Sequence, residues 1–167
     1  MKLGTHGASV SLLPVGYQYP HLTGGGAQDW DANWLIIAGD VRTDGGRTWS
    51  FTDPCMTTWD AARLGEWLRE VLSGAVEPVP ADRPGTDQLL VFTEPTVALS
   101  VASRRSAGIV LRVHLSLEAG PPVPGGHDEQ DNAADIFDYF VPVAMSVADL
   151  AAAVSTWEHD LASFPAR

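Results

Sequence analysis

Strand-like hydrophobic patterns in this chain occur in consecutive runs separated by only two helical stretches, and this order constrains the fold most. Three strand-like segments come first, a helical pattern follows, then four more strand-like segments, and a second helical pattern ends the chain. Strands that follow one another directly favour antiparallel pairing, with the helices at one face or end. We therefore expect an α+β fold of order βββαββββα, with about seven mostly antiparallel strands in a sheet or sandwich.

Both helical stretches carry their own start signals. The first covers 57–72, where Thr57 and Asp60 have capping-box spacing and Gly74 stands at the expected C-cap. The second opens with Ser146 and Asp149. The apolar stripes are Ala61, Leu64, Leu68, Val71 and Leu72 in the first helix, and Val147, Leu150, Ala151, Val154, Trp157 and Leu161 in the second. Stripes of this spacing predict helices that each pack one side on a core.

Three strand segments carry specific expectations. The segment SVSLLPVGYQYP contains Pro14 and Pro20, which place it at a sheet edge or end it, because proline cannot donate to a ladder. The segment NWLIIAGDV has apolar residues in both alternating sets, which predicts a central strand covered on both faces. In GIVLRVHLSLE, apolar residues from Ile109 to Leu117 alternate with polar ones, which predicts one buried and one solvated face.

A tight hairpin is predicted where RTDGGRTWSF places Asp44, Gly45 and Gly46 between two strand patterns. If Gly45 and Gly46 form the turn, Arg42 lies opposite Trp49. If Asp44 and Gly45 form it, Asp40 lies there instead. A shift of one residue reverses the faces of the strand, so the two alternatives differ in which side chain meets the tryptophan.

The charge of the chain limits its partners. Its 167 residues contain 21 acidic and 10 basic side chains, for a formal net charge of −11. This length fits a single domain, residues 1–167. A strongly negative protein repels phosphate backbones and anionic membranes and attracts basic partners. We therefore expect no nucleic-acid or membrane binding.

The expected location is the cytoplasm. The first residues lack the continuous apolar core and the cleavage pattern of a signal peptide. No apolar run approaches the roughly 18 residues that a membrane span needs. The single cysteine, Cys55, excludes an internal disulfide framework and fits a reducing compartment.

Two groups of residues could support catalysis. Cys55 precedes a predicted helix N-terminus, which can lower a thiol pKa, although a small buried residue explains it better. Arg112, His114, Ser116 and Glu118 share one strand face, although a solvated sheet face has the same polar alternation. Asp29, Asp31 and Asn33 have the opening spacing of a calcium loop but lack its glycine and closing glutamate. We therefore expect no catalytic residue, metal or cofactor.

Candidate partner-binding residues are acidic or aromatic. The densest acidic cluster lies in a long loop before the last strand and could dock a basic partner or simply keep the protein soluble. Four tryptophans fall on strand or helix patterns typical of packing, whereas two fall where partial exposure is expected. The predicted partner-binding residues are Asp128, Glu129, Asp131, Asp135, Asp138, Trp30 and Trp59.

The chain resembles a bacterial protein family over most of its length. The segments that carry the resemblance are YQYP, DANWLIIAGDV, WSFTDPCMTTWDAARLGEWL, FTEP, LRVHLSLEAGPP and SVADLAAAVSTWEHDLASFP. In this order they resemble the WapI-type bacterial immunity proteins, which have related members in actinobacteria. The resemblance implies a cytosolic, non-enzymatic inhibitor that binds the nuclease-type toxin domain at the C-terminus of a secreted effector.

Two other functions stay open from the residues alone. One is a small enzyme that uses Cys55 or the face of Arg112, His114 and Glu118. The other is an acidic protein that forms oligomers through exposed aromatic side chains. The expected partner is a basic toxin domain, and the expected assembly of the chain itself is a monomer or homodimer.

Overall fold

The computed structural model describes residues 1–5, 7–23, 29–79, 89–106, 108–122 and 136–167. Within these residues the chain forms two four-stranded antiparallel sheets and two α-helices. This arrangement confirms the predicted α+β class. The described strands number eight, one more than expected, because a two-residue strand at the start of the chain has no hydrophobic pattern of its own.

The first sheet consists of consecutive strands in the order β1-β2-β3-β4. The strands are β1 (Lys2–Leu3), β2 (Ser9–Tyr17), β3 (Trp34–Arg42) and β4 (Thr48–Thr57). The predicted edge position of β2 fails at Val10 and Ser11, where β1 pairs with it, whereas the alternative that a proline ends the strand agrees with its last residue, Tyr17, which precedes Pro20. Pro14 lies beyond the residues that pair with β1. The N–H that proline lacks is therefore not needed for a hydrogen bond to β1.

Strand β3 is interior to its sheet, as predicted, but only one of its faces is fully covered. Leu35 and Ile37 are completely buried, whereas Ile36 and Ala38 on the opposite face are half-buried. Ala38 pairs with Leu13 of β2, which is exposed. The prediction of cover on both faces is therefore wrong, since apolar composition alone does not supply a layer to pack against.

The β3–β4 hairpin uses neither of the two predicted turns. Val41, rather than Arg42 or Asp40, lies opposite Trp49. Thr43 and Arg47 close the loop, and Gly46 has a φ of 79°. The loop therefore contains three residues and ends in a left-handed position, where glycine has no steric cost.

The second sheet also follows chain order, β5-β6-β7-β8. Its strands are β5 (Leu90–Val91), β6 (Val97–Arg105), β7 (Gly108–Leu115) and β8 (Phe140–Met145). In β7, Ile109, Leu111, Val113 and Leu115 are buried as predicted. The solvated face predicted for β7 is wrong, because Arg112 and His114 are also buried.

The helices are α1 (Thr58–Ser73) and α2 (Val147–Leu161), and both predicted capping boxes form. Gly74 caps α1 with a φ of 84°. The two helices pack on each other, where Trp157 Nε1 of α2 donates to the Ala61 carbonyl of α1 at 2.8 Å. Residues from both sheets and both helices form one hydrophobic core.

Neither helix of the described ranges combines the length and the apolar character that crossing a membrane would require.

Candidate functional site

Most of the predicted acidic loop lies outside the described residues. This applies to Asp128, Glu129, Asp131 and Asp135. Asp138 is described and is exposed in the turn that leads into β8. The predicted partner-binding role of these residues stays a prediction.

The two tryptophans singled out from the sequence lie against each other. Their ring centroids are 5.2 Å apart at an interplanar angle of 69°, which is an edge-to-face arrangement. Trp30 precedes a short 3-10 helix, Asp31–Asn33, and is 51% exposed. Trp59 lies in the first turn of α1 and is half-buried. Together they form an aromatic surface feature, called the tryptophan pair below.

Asn33 holds the segment that carries Trp30. This side chain is completely buried, and its amide oxygen accepts from the Thr58 hydroxyl at 2.7 Å and from the Arg167 N–H at 2.9 Å. Its amide nitrogen donates to the carbonyls of Asp29 and Arg167. Asn33 thus joins the 3-10 helix to the start of α1 and to the C-terminal residues. Its spacing from Asp29 in the sequence gave no indication of this role.

Three carboxylates lie near enough for two of them to act electrostatically on the third. They are Asp53 of β4, Glu94 of the β5–β6 turn and Glu118 of a second 3-10 helix, Leu117–Ala119. Partial burial raises the pKa of Asp53 above its ordinary value, and the negative charges of Glu118 and Glu94 raise it further. These three residues are called the acidic rim below. Sequence analysis missed it because its members come from three distant segments.

The acidic rim has no cationic partner among the described residues. The salt bridges in these ranges join the Met1 amine to Asp160, Arg63 to Glu66 and Glu70, and Arg69 to Glu158. Arg47, on the neighbouring hairpin, donates to the Pro122 carbonyl and lies over the Trp49 ring. The rim therefore presents negative charge that described side chains do not neutralise.

Leu117 borders the acidic rim and is exposed. It was predicted on the buried face of β7, but the strand ends at Leu115 and the chain turns into the 3-10 helix. The side chain is 56% exposed, and its φ of 49° makes it the one non-glycine residue of the described ranges in the left-handed region. The prediction for Leu117 is wrong because the alternation of β7 continues in the sequence beyond the end of the strand.

Cys55 is completely buried next to the rim. Burial raises the pKa of its thiol to about 12, and the charges of Asp53, Glu94 and Asp60 add to the effect. A helix N-terminus follows this residue and would lower the thiol pKa, but burial and the negative charges raise the pKa by more. The thiol is therefore protonated near neutral pH and out of reach of a substrate.

The polar residues Arg112 and His114 of β7 are buried in hydrogen bonds and ring contacts. His114 Nδ1 lies 2.7 Å from the Phe137 carbonyl, which can only accept, so Nδ1 donates there, and Nε2 forms a hydrogen bond with the Ser100 hydroxyl at 3.1 Å. Arg112 donates to the Val79 carbonyl and lies 5.5 Å from the Phe140 ring centroid. Glu118 lies outside the strand, in the acidic rim.

Metal ligands do not converge in the part of the chain that the structure describes. No three His, Cys, Asp or Glu side chains there are grouped as an ion would require. The amide oxygen of Asn33, the third residue of the calcium-like spacing, already accepts two hydrogen bonds.

Comparison with known proteins identifies the family but no individual relative. No curated protein matches the chain significantly. The family model described as the immunity protein WapI-like family matches residues 1–165. The match covers almost all of the 167 residues, including both sheets, both helices and the segments that carry the acidic rim and the tryptophan pair. The chain therefore belongs to the immunity protein WapI-like family.

Proposed function

We propose that this protein is a cytoplasmic, non-enzymatic immunity protein that binds and neutralises a cognate toxin domain of basic, nuclease type. The observation that carries the proposal is the family match over residues 1–165. Immunity proteins of this kind act by binding, so the proposal requires an interaction surface and no reactive group.

The charge of the chain supports a basic partner. A nuclease binds phosphates with lysine and arginine side chains, and a protein of net charge −11 complements such a surface. Charge complementarity speeds the encounter of two proteins and selects against partners of the wrong sign.

The proposed partner-binding residues combine charge with an aromatic anchor. They are the acidic loop residues Asp128, Glu129, Asp131, Asp135 and Asp138, together with Trp30 and Trp59. The exposure of Trp30 supports this assignment, because tryptophans are enriched among the residues that dominate binding energy at interfaces.

The enzyme alternative receives no support from the described residues. The Cys55 thiol is buried with a raised pKa, and Arg112 and His114 are buried in hydrogen bonds and ring contacts. The oligomer alternative predicts a dimer in sizing chromatography, whereas the leading proposal is compatible with a monomer.

The proposal is tested by co-expression with candidate toxins. The candidate is the basic C-terminal domain of a secreted protein encoded directly upstream. We expect cells that express this domain to survive only with the immunity protein, and the two proteins to purify as a stable complex.

An unrelated acidic protein of similar size is the control, because negative charge alone should not protect the cells. Cell death despite expression of the folded protein, together with the absence of a complex, would contradict the proposed function.

A further inference from the structure

We propose that an open groove between helix α2 and the first sheet receives a segment of the toxin domain, with apolar side chains in the groove and lysine or arginine side chains against its acidic walls. This inference rests on the proposed function and names one surface that performs it. The surface, called the α2 groove below, is lined by Leu13, Ala38 and Asp40 of the sheet and by Asp149, Ala152 and Thr156 of the helix. Neither member of the tryptophan pair is among the described residues that line it.

The α2 groove is long and open to solvent. Its volume is about 750 Å³. Asp149 and Asp160, which both line it, are 11 positions apart in the sequence. They are therefore about 16 Å apart along the helix axis, which is the length of about five residues of extended chain. Pockets for small molecules enclose most of the ligand surface, so a cleft that stays open over this length suits a segment of another protein better.

Apolar side chains line the groove from both walls. On the sheet, Leu13 of β2 is 47% exposed and pairs with Ala38 of β3, which is half-buried. On the helix, Ala152 is exposed, whereas its neighbour Ala153 is buried in the core. The fold itself therefore leaves apolar surface uncovered on both sides of the groove, and the small alanine side chains leave room for larger ones from a partner. Apolar surface bordered by polar groups is typical of the centre of a protein interface.

The charge of the groove favours a basic occupant. Its acidic lining residues are Asp40, Asp149 and Asp160, and Lys2 is the basic one among the described residues that line it. Asp160 is paired with the Met1 amine at 3.3 Å. The carboxylates of Asp40 and Asp149 still outnumber the Lys2 ammonium, in a protein of net charge −11. A segment with lysine or arginine side chains beside apolar ones complements this lining, whereas an acidic segment is repelled by it.

Asp40 is placed to accept from such a cation. The residue is exposed, and its Oδ1 accepts from the Ser50 hydroxyl at 2.7 Å, while its carboxylate has a second oxygen that can accept. Asp40 forms no salt bridge among the described residues. Lys2 lies opposite Ser11, which lies opposite Asp40. The two charged residues are therefore two strands apart, at roughly 10 Å.

Hydrogen bonds hold both walls in place. The Trp157 indole donates to the Ala61 carbonyl at 2.8 Å and fixes α2 to α1. On the other wall, the Met1 amine donates to the Leu12 carbonyl at 2.7 Å, and the Leu12 N–H donates to the Met1 carbonyl at 3.0 Å. The pairing of this amine with Asp160 joins the sheet to the end of α2. A preformed groove loses little entropy when a partner enters it.

The first test fills the groove. The affinity is measured for the basic C-terminal domain of the secreted protein encoded directly upstream. Ala152→Trp places a large side chain in the groove, and Ala151→Trp is the matched control, because Ala151 is also exposed on α2 but is not among the lining residues. We expect Ala152→Trp to raise the Kd about tenfold or more and Ala151→Trp to change it by less than about twofold.

The second test reverses a charge in the groove. Asp40→Lys is compared with Glu77→Lys, which changes an exposed glutamate outside the groove by the same amount. At about 0.15 M salt, where long-range attraction is screened, we expect Asp40→Lys to raise the Kd about tenfold more than the control does. Because Asp40 and Ala152 are both exposed, denaturant unfolding should give every variant the midpoint of the wild type.

The outcomes separate this inference from the proposed function. If the wild type binds the toxin domain, and Ala152→Trp and Asp40→Lys bind no more weakly than their controls, the inference is overturned and the function stands. A change from dimer to monomer in Ala152→Trp, with unchanged toxin affinity, also overturns it and assigns the groove to a second copy of this chain. If no toxin domain binds the wild type, the proposed function fails and the inference fails with it.

Discussion

The thiol of Cys55 illustrates how surroundings set the chemistry of a single side chain. It lies in the core, within strand β4, and the negative charges of Asp53, Glu94 and Asp60 act on it. Both burial and these charges disfavour the thiolate, and both act in the same direction. The residue therefore contributes to packing, as a small apolar group would.

The raised thiol pKa predicts a specific pH dependence. In the unfolded chain Cys55 ionises near its ordinary pKa of 9.0, whereas in the folded protein it ionises at about 12. Folding favours the protonated thiol, so this contribution to stability is complete below the unfolded pKa. It is lost as the pH rises from 9.0 to about 12.

We expect a water-soluble thiol reagent to leave Cys55 unmodified at neutral pH and to react fully once denaturant unfolds the protein. A Cys55→Ala variant is the control, and its unfolding free energy should lose less than the wild type does as the pH is raised above about 9. Rapid labelling of the folded protein would contradict the burial of this thiol.

At the scale of elements, the two helices begin in the same way but in different surroundings. Thr57 caps α1 and is buried, whereas Ser146 caps α2 and is exposed. In each case the cap hydroxyl accepts from the N–H three residues on, and the aspartate there accepts from the cap N–H. The hydrogen bonds are equivalent in the two helices. A difference in how much the two caps contribute to the free energy of unfolding would therefore come from burial.

This pair of caps gives a matched experiment. We expect Ser146→Ala to lower the unfolding free energy by about 1 kcal/mol and Thr57→Ala by about 2 kcal/mol, because the latter also leaves buried polar groups of α1 without a partner. Denaturant unfolding with both variants side by side measures the difference. Equal losses would mean that burial of the Thr57 cap adds nothing.

At the scale of the whole molecule, charge and topology act together. The net charge of −11 sets a negative field, and the fold brings Glu94 and Glu118 near enough to Asp53 for their charges to raise its pKa. Among the described arginines, Arg63 and Arg69 are paired at exposed positions on α1, outside the rim. Ten basic side chains against 21 acidic ones leave this field negative.

The salt dependence of binding follows from this field. We expect the association rate with the basic toxin domain to fall by about tenfold or more between low salt and about 0.2 M, because ions screen exposed charges beyond the Debye length. The dissociation rate should change much less, since it depends on contacts at short range. Stopped-flow mixing over a salt series measures both, and an association rate independent of salt would contradict electrostatic steering.

Local sequence signals were sufficient to predict both helices. The hydrogen bonds of a capping box join residues three apart, and the C-cap of α1 needs a left-handed residue that Gly74 supplies. The hydrophobic spacing of seven of the eight described strands was equally local. Strand β1 was missed because two residues cannot carry a pattern, and the cover over β3 was overestimated because it depends on a neighbour in space.

Only part of the candidate site could be predicted from local sequence signals. Exposure of Trp30 was predicted from its place beside a glycine-rich segment, but its contact with Trp59 was not, because the two are 29 positions apart in the chain. The acidic rim was missed altogether. Asp53 and Glu94 have no distinguishing pattern within their own segments, and Glu118 was assigned from the sequence to the polar face of β7 instead.

The amino-acid sequence by itself determined the class of the fold, the two helices and the negative character of the protein, because hydrophobic period, caps and charge are properties of short segments or of simple sums. Only the tertiary structure decided that Arg112 and His114 are buried, that Leu117 is exposed, and that the charges of Glu94 and Glu118 act on Asp53. Burial and proximity depend on which strands become neighbours, and no single segment contains that information.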